Sequence, residues 1–325
     1  MNVTTIIINA KYISIFCTPG VILFMLRLSL LGTGGMVPMP NRFLTSLLLS
    51  CGGKMILIDC GEGTQISLKS LGWGIKNIDI ICITHFHADH TAGLPGLLST
   101  IGNSGRTETL TIIGPPGVKS VVECLTVIAP ITYPLEFVEI PIEGLRNYTH
   151  GDFTINTIWL EHHIPCASYS IEIKRSRKFN REKAENNNIP IKFWNKLRNG
   201  EIIEYNNKTF TPDMVLGETR KGIKICYSTD TRPVPEMIPF IENADLFVCE
   251  GMYGDDNDFE KAYSKKHMLF SEAANLAKEG NVKELWLTHF SPALVNPSEY
   301  IDFAKNIFDN VIVGTDRMVK ELSFK

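Results

Sequence analysis

The chain predicts an α/β fold in which two sheets lie sandwiched between helices. Two observations predict it. Strand-like and helix-like hydropathy patterns alternate through both halves of the 325 residues, which favours layered sheet-and-helix packing. Several apolar strands also end on a polar residue that can bind a ligand, as expected where a sheet opens a cleft beyond its strand ends. The length suits one large α/β domain or two small ones.

The elements follow in order. Residues 1–24, "MNVTTIIINAKYISIFCTPGVILF", are apolar, with Lys11 as their cation. They lack the basic start and small-residue cleavage site of a secretory signal. No uninterrupted apolar run approaches the ~18 residues of a membrane span. They read as an N-terminal extension ahead of a domain at 25–325, explained by a start codon placed too early, with an apolar tail that packs on the body or on a partner as the alternative. Strand patterns rich in β-branched residues and leucine occupy 26–31, 44–50, 55–59, 80–84 and 110–113. Helical patterns fall at 64–71, 91–100 and 117–129. A hairpin-like pair follows at 153–160 and 168–173, then a polar stretch at 174–204. Strands return at 223–227, 245–248 and 284–287, with helices at 269–278 and 298–308. No internal repeat is visible.

Composition excludes little. Hydrophobic content of 44% and charged content of 21% are ordinary for a soluble globular chain, and a net charge of −3 points to no class of partner. Eight cysteines form no C-x-x-C pair. Cys82, Cys226 and Cys249 sit in apolar strand patterns, where cysteine behaves as a small hydrophobe. The set reads as free thiols in a reducing cytoplasm.

The chemistry concentrates in "ITHFHADH", residues 83–90. Three histidines and an aspartate follow directly on an apolar strand. Buried imidazoles each need a polar partner, and a metal ion satisfies several at once. In H-x-H-x-D-H, His85 and His87 alternate to one side, while Asp89 and His90 reach a second position. One loop can therefore serve two metals, but two ions need about six to eight ligands. His162, Asp230 and His289 end other strands ("TIWLE", "ICYST", "LWLT") and are the candidates for the remainder. A carboxylate such as Asp230 can bridge two ions. If these strands and the one ending at Glu250 share a sheet, their end residues converge on one cleft. Taken alone, His162 and His289 would each be an ordinary core histidine, Asp230 a turn residue, and Asp59 in "DCGEGTQ" a turn cap. His150 and His163 read as ordinary polar residues.

"HFHADH" after a strand resembles the signature of the metallo-β-lactamase fold, a four-layer αββα sandwich. The flanks "LGTGGMVPMPNRFLTSLLL", "LIDCGEGTQ", "HADHTAGLPGLL", "LEHHIPCASY", "YSTDTRP" and "LTHFS" resemble, in that order, the ribonuclease Z family of tRNA 3′-processing endonucleases, over roughly residues 26–290. The resemblance implies two zinc ions per chain. His85, His87 and His162 hold one, Asp89, His90 and His289 the other, and Asp230 bridges them. It implies Asp89 as proton acceptor. It places His267 as general acid and Glu250 as its orienting partner, because "CEGMYGDD…KKHMLFSEAANLA" matches the family's "HEAT"-like strand end and "HST" turn. The expected reaction is cleavage of a tRNA precursor that leaves a 3′-hydroxyl, and the expected assembly is a homodimer. The alternative is a phosphodiesterase of the same fold acting on small diesters or other nucleic acids. A lactam hydrolase would usually carry a cysteine at Asp230, and a non-catalytic RNA-binding module would show a broken ligand set.

The polar stretch carries a second signal. Residues 174–198 hold nine cations against Glu182 and Glu185, a local balance of +7 that leaves −10 on the remaining chain. A mobile basic arm, too polar to form a core, is expected there, with sequence-independent phosphate contacts as its task. The family carries its tRNA-gripping arm at this place. Three details depart from the family pattern. Ile191-Lys192 replaces Gly-Pro before Trp194, "PMPNRF" keeps only Pro38 and Arg42 of the P-x-K-x-R-N loop, and Thr229 stands where a glycine precedes the bridging aspartate.

Overall fold

The structure is a computed structural model that describes residues 25–324. The reading of residues 1–24 as an extension lies outside the described residues. In the first half run β1 (Met25–Gly32), β2 (Ser46–Cys51), β3 (Lys54–Ile58), α1 (Thr64–Leu71), β4 (Ile78–Cys82), α2 (Ala88–Thr91), α3 (Leu94–Asn103), β5 (Leu110–Gly114), α4 (Val118–Leu125) and β6 (Leu135–Glu139). Then follow β7 (Tyr148–His150), β8 (Phe153–Leu160) and β9 (Cys166–Arg175). An inserted body holds α5 (Arg181–Asn186), α6 (Ile191–Arg198), β10 (Ile203–Tyr205) and β11 (Lys208–Phe210). The chain closes with β12 (Arg220–Ser228), α7 (Met237–Ile241), β13 (Leu246–Glu250), α8 (Phe259–Lys265), α9 (Phe270–Glu279), β14 (Leu285–Thr288), α10 (Ile301–Lys305), β15 (Val311–Val313) and β16 (Val319–Ser323).

Among the described residues, two seven-stranded sheets form, in the orders β16-β1-β2-β3-β4-β5-β6 and β15-β14-β13-β12-β9-β8-β7. Strand residues of alternate parity face opposite sides, and here both sides are apolar. Leu28, Leu47, Leu49, Ile56, Ile58 and Ile80 pack inward against Ile155, Tyr169, Ile225, Val248 and Trp286 of the other sheet. Their neighbours Leu31, Leu48, Leu57 and Ile81 pack outward with residues of α3 and α4. On the far side, Phe247, Cys249 and Leu287 pack outward with α7 and α9. Three apolar layers thus separate four layers of structure, the expected αββα sandwich.

Two expectations are corrected. The ligand-bearing strands do not share one sheet. β4, which leads to His85, belongs to the first sheet, whereas β8, β12, β13 and β14 belong to the second. β3 and β4 are parallel, as are β12, β13 and β14, so their carboxyl ends gather at one rim and the cleft lies between the two sheets. The basic stretch is also more than a mobile polar excursion. Ala184, Ile189, Leu197, Phe210, Val215 and Leu216 are buried together, with Phe179, Phe193 and Trp194 packed against them. The body runs from the end of β9 to the start of β12, beyond residue 204. The charges it adds are mainly acidic, and residues 174–219 carry a net +4.

Candidate metal centre

Each potential ligand is set by the way its strand ends. β4 leaves the sheet at Cys82, and the next turns present His85, His87, Asp89 and His90, the last two on the short helix α2. β8 ends at Leu160, two residues before His162. β12 and β14 end at Ser228 and Thr288. There Asp230 and His289 adopt left-handed backbone, with φ of 40° and 57°. Non-glycine residues rarely do so. The kink turns each side chain off its strand line into the cleft. Asp59, after β3, also takes left-handed backbone, with φ of 58°, and its carboxylate lies behind His90.

The donors converge in two groups. His85 Nε2 lies 3.0 Å from His87 Nδ1, and His162 Nε2 lies 3.4 Å from that same His87 atom. Asp230 Oδ2 is 3.6 Å from His85 Nε2 and 3.8 Å from His162 Nε2. In the second group His90 Nε2 and His289 Nε2 are 3.2 Å apart. Asp89 Oδ2 lies 3.7 Å and 3.4 Å from them. Asp230 Oδ1 lies 3.2 Å from His90 and 3.1 Å from His289. One carboxylate therefore offers one oxygen to each group.

The rings are held so that Nε2 faces inward at His85, His90 and His162. His90 Nδ1 donates to Asp59 Oδ2 at 2.8 Å. His85 Nδ1 lies 3.1 Å from the Thr84 hydroxyl, which donates to Asp59 in turn. His162 Nδ1 lies 3.3 Å from the Lys266 carbonyl. Fixing one ring nitrogen leaves the other's lone pair free for a cation. Facing lone pairs in a buried site repel unless a positive charge lies between them. The nitrogen and oxygen donor set, divided by Asp230, fits a pair of divalent ions of intermediate softness. Burial holds His162 down to about 4, outweighing the pull of Asp230, which keeps its imidazole neutral. Burial raises Asp89, but the contacts with His289 and His90 outweigh it, and its carboxyl falls below the usual carboxylate range.

A third group stands over the second. His267 Nδ1 is 3.1 Å from Glu250 Oε2, and the ring packs 5.6 Å from that of His289. Glu250 is fully buried and accepts the Thr231 N–H at 2.6 Å. Burial opposes charge on His267, but the Glu250 carboxylate prevails and lifts it to about 9. The cleft has a volume of about 470 Å³ and is lined by His87, Asp89, His162, Asp230, His267 and His289, among others.

All seven predicted ligand positions, with His267 and Glu250, therefore meet at one cleft. His150 lies apart, 3.7 Å from Asp79. His163 lines the cleft beside His162. Sequence reasoning undervalued Asp59, which is no simple turn cap but the partner of His90. Its signal was present, since it too ends an apolar strand on a carboxylate. Arg232 had no such signal. Its guanidinium binds both Glu272 oxygens and, at 2.5 Å, the His267 carbonyl. Two of the departures from the family pattern, and the Arg42 that is kept, each find a local setting. Thr229 donates its hydroxyl to Asp230 Oδ1. Arg42 of "PMPNRF" clamps the loop after His289 through the Leu294 and Val295 carbonyls, both at 2.8 Å. Ile191-Lys192 opens α6, where Lys192 Nζ lies 4.1 Å from the Tyr205 ring centroid.

Fold and site together define a metallohydrolase of the metallo-β-lactamase fold. Solved structures agree on the fold. YhfI from Bacillus subtilis covers 92% of this chain and 100% of its own, with a TM-score of 0.67 at 22% identity. The short form of human tRNase Z covers 92% and 99%, with a TM-score of 0.65 at 24% identity. A family profile described as "Anti-Pycsar protein Apyc1" matches residues 26–126. Ribonuclease Z of Clostridium kluyveri is 57% identical over 93% of this chain and 100% of its own length. The chain belongs to the ribonuclease Z family, the tRNA 3′-processing endonucleases.

Proposed function

We propose that His85, His87 and His162 hold one zinc ion and Asp89, His90 and His289 a second, with Asp230 between them, and that this cleft cuts tRNA precursors to leave a 3′-hydroxyl. The observation that carries the reading is the division of Asp230, one oxygen toward each histidine group. Two divalent ions, if held there by these residues, would supply Lewis acidity to the phosphodiester and lower the pKa of the attacking water toward ~7. Asp89, held as a carboxylate by its histidine neighbours and by the Met36 N–H at 2.7 Å, accepts the proton of that water. Glu250 keeps the proton on His267 Nδ1 and the ring charged, so Nε2 can protonate the departing 3′-oxygen. Arg232 fixes the His267 backbone while this happens. Metal analysis of the purified protein should give about two zinc equivalents, and the protein should release a 3′-hydroxyl tRNA from precursor. Full activity with no bound metal would overturn the reading.

The arm completes it and bears on assembly. Arg175, at the end of β9, pairs with Arg220, at the start of β12. The ten residues of β9 span about 30 Å, so the arm is rooted at the sheet end opposite the cleft. That placement supports a homodimer in which one chain's arm holds the tRNA cut in its partner's cleft. Mixing metal-site-dead chains with armless chains should restore precursor cleavage. No restoration on mixing would argue for action within one chain. The seven described cysteines are free, six of them buried, which supports the reading of a reducing cytoplasm. Among the described residues no helix is long and apolar enough to cross a membrane.

A further inference from the structure

The helix that leads into His267 carries two lysines into the cleft. Lys261 and Lys265 of α8 stand four residues apart, so they share one helix face, and both line the cleft together with His267. Both are exposed, and among the described residues neither is in an ion pair. Lys266, the next residue, shows the contrast. Its ammonium lies 3.6 Å from Glu161 and donates to the His162 carbonyl at 3.4 Å, so its charge is committed inside the protein. Lys261 rests instead on an aromatic face, its Nζ 4.7 Å from the Tyr253 ring centroid. The Tyr253 ring is buried and lies 6.5 Å from that of His267, so one ring separates this ammonium from the proposed acid. Apart from histidines, the cationic side chains that line the cleft come from α8, while Met36, Ser291, Pro292 and Ala293 line it from other loops without charge. A lysine ammonium is a compact point charge on a flexible stem. Beside a site that cuts a phosphodiester it suits a backbone phosphate, which fixes register and carries no base identity. A small diester has a single phosphate, the one being cut. A polynucleotide brings a neighbour on either side of it.

We infer that Lys261 and Lys265 bind a phosphate adjacent to the one being cut, and that this pair makes the cleft prefer a polynucleotide to a simple diester. The inference rests on the reading of the cleft as a tRNA-cutting site. The two lysines hold the strand in register through its backbone. They read no base and take no part in bond breaking.

Neutralising the adjacent phosphate tests it. A methylphosphonate linkage, which is uncharged, replaces the phosphate immediately 5′ or immediately 3′ of the cut in a tRNA precursor. With the intact protein one of the two replacements should lower kcat/KM by roughly tenfold or more, the size of one lost hydrogen bond to a charged group. K261A/K265A should lose a similar factor on the unmodified precursor, and the same methylphosphonate should then lower its rate little further. The variant's loss on bis(p-nitrophenyl) phosphate, which has no adjacent phosphate, should be smaller than its loss on precursor. K261R/K265R keeps both charges and should keep the sensitivity to the methylphosphonate. Equal losses by K261A/K265A on every substrate, or losses that multiply with those of the methylphosphonate, would overturn the inference and leave the tRNA reading in place. An intact protein that hydrolyses bis(p-nitrophenyl) phosphate but cuts no precursor would instead sink the tRNA reading, and the inference with it.

Discussion

The cleft and the arm use the same backbone device for different ends. In the arm, Asn206 and Asn207 take left-handed backbone to close the two-residue turn between β10 and β11. Such turns demand this geometry, and asparagine adopts it easily. At the cleft, Asp230 and His289, and behind them Asp59, take it where strands end, and what is turned is a ligand or its partner. All three are buried, at 0%, 2% and 0% exposure. The arm's Lys178, Arg181, Lys192, Lys196 and Arg198 are by contrast exposed. The difference separates two kinds of work. Chemistry needs groups held to fractions of an ångström by their neighbours. Phosphate attraction needs only charge in the right region.

The largest effects should come from breaking the fixed half. Asp230→Ala removes the oxygen facing each histidine group, so bound metal should fall below two equivalents. Cleavage of tRNA precursor and hydrolysis of bis(p-nitrophenyl) phosphate should both drop by orders of magnitude. Retained metal and turnover would show that Asp230 is a turn residue only. His267→Ala should spare metal content and slow precursor cleavage by ~10²–10⁴-fold, as for a lost general acid. The loss should shrink for a p-nitrophenolate leaving group, which needs no proton. Glu250 against burial holds His267 up to about 9, so the acid form fills below that pH and empties above it. Precursor turnover should therefore decline as pH rises through about 9, and His267→Ala should abolish that limb. A limb unchanged in the variant would assign it to another group.

A smaller effect tests the residue one bond further out. Asp59 reaches the proposed ligands through His90 and Thr84, and its carboxylate also accepts from the Tyr227 hydroxyl at 3.4 Å. Asp59→Asn keeps the shape but loses the charge that polarises His90, and such outer partners typically matter by ~10–100-fold in metal affinity or activity. Zinc competition with a chromogenic chelator measures it directly. An affinity equal to that of the unaltered chain would return Asp59 to a purely structural role.

The same contrast explains what could be read from the sequence. Four of the seven proposed ligands sit within six residues, so their chemistry was legible before any fold was known. His162, Asp230 and His289 were legible because each ends an apolar run. That the runs divide between two sheets was not, since strand patterns carry no record of their partners. Arg232 and Glu272 meet across 40 positions, and no local pattern announces such a pair. In the arm the charge was plain and the core was not. α5 has six residues and β10 and β11 three each. Apolar residues in elements that short show no measurable period. Phe210, Val215 and Leu216 also lie past the basic run that drew attention.

That last point decides how the arm must be removed. Replacing only the basic run would delete α5 and α6 while leaving Phe210, Val215 and Leu216, which pack against them, open to water. Any loss of activity would then report misfolding. The sheet offers a cleaner cut. Arg175 and Arg220 are already cross-strand partners, so residues 176–219 can be replaced by a short Gly/Asn turn that continues β9 into β12 as a hairpin. The sandwich core contains none of the excised residues, and the melting temperature should hold within a few degrees. Hydrolysis of bis(p-nitrophenyl) phosphate should be unaffected, the smallest effect expected anywhere in the set. The precursor should distinguish the two proteins through KM. The log–log salt dependence of tRNA binding should flatten by about 0.9 or less for each phosphate that the arm neutralises. Arg177 and Lys183 are partly committed within the arm, to Asp213 and to the Gly217 and Leu216 carbonyls. The arm should therefore neutralise fewer phosphates than the nine cations of its basic run. An unchanged KM and slope would leave the arm a solvated appendage. Loss of diester hydrolysis would make it part of the catalytic fold.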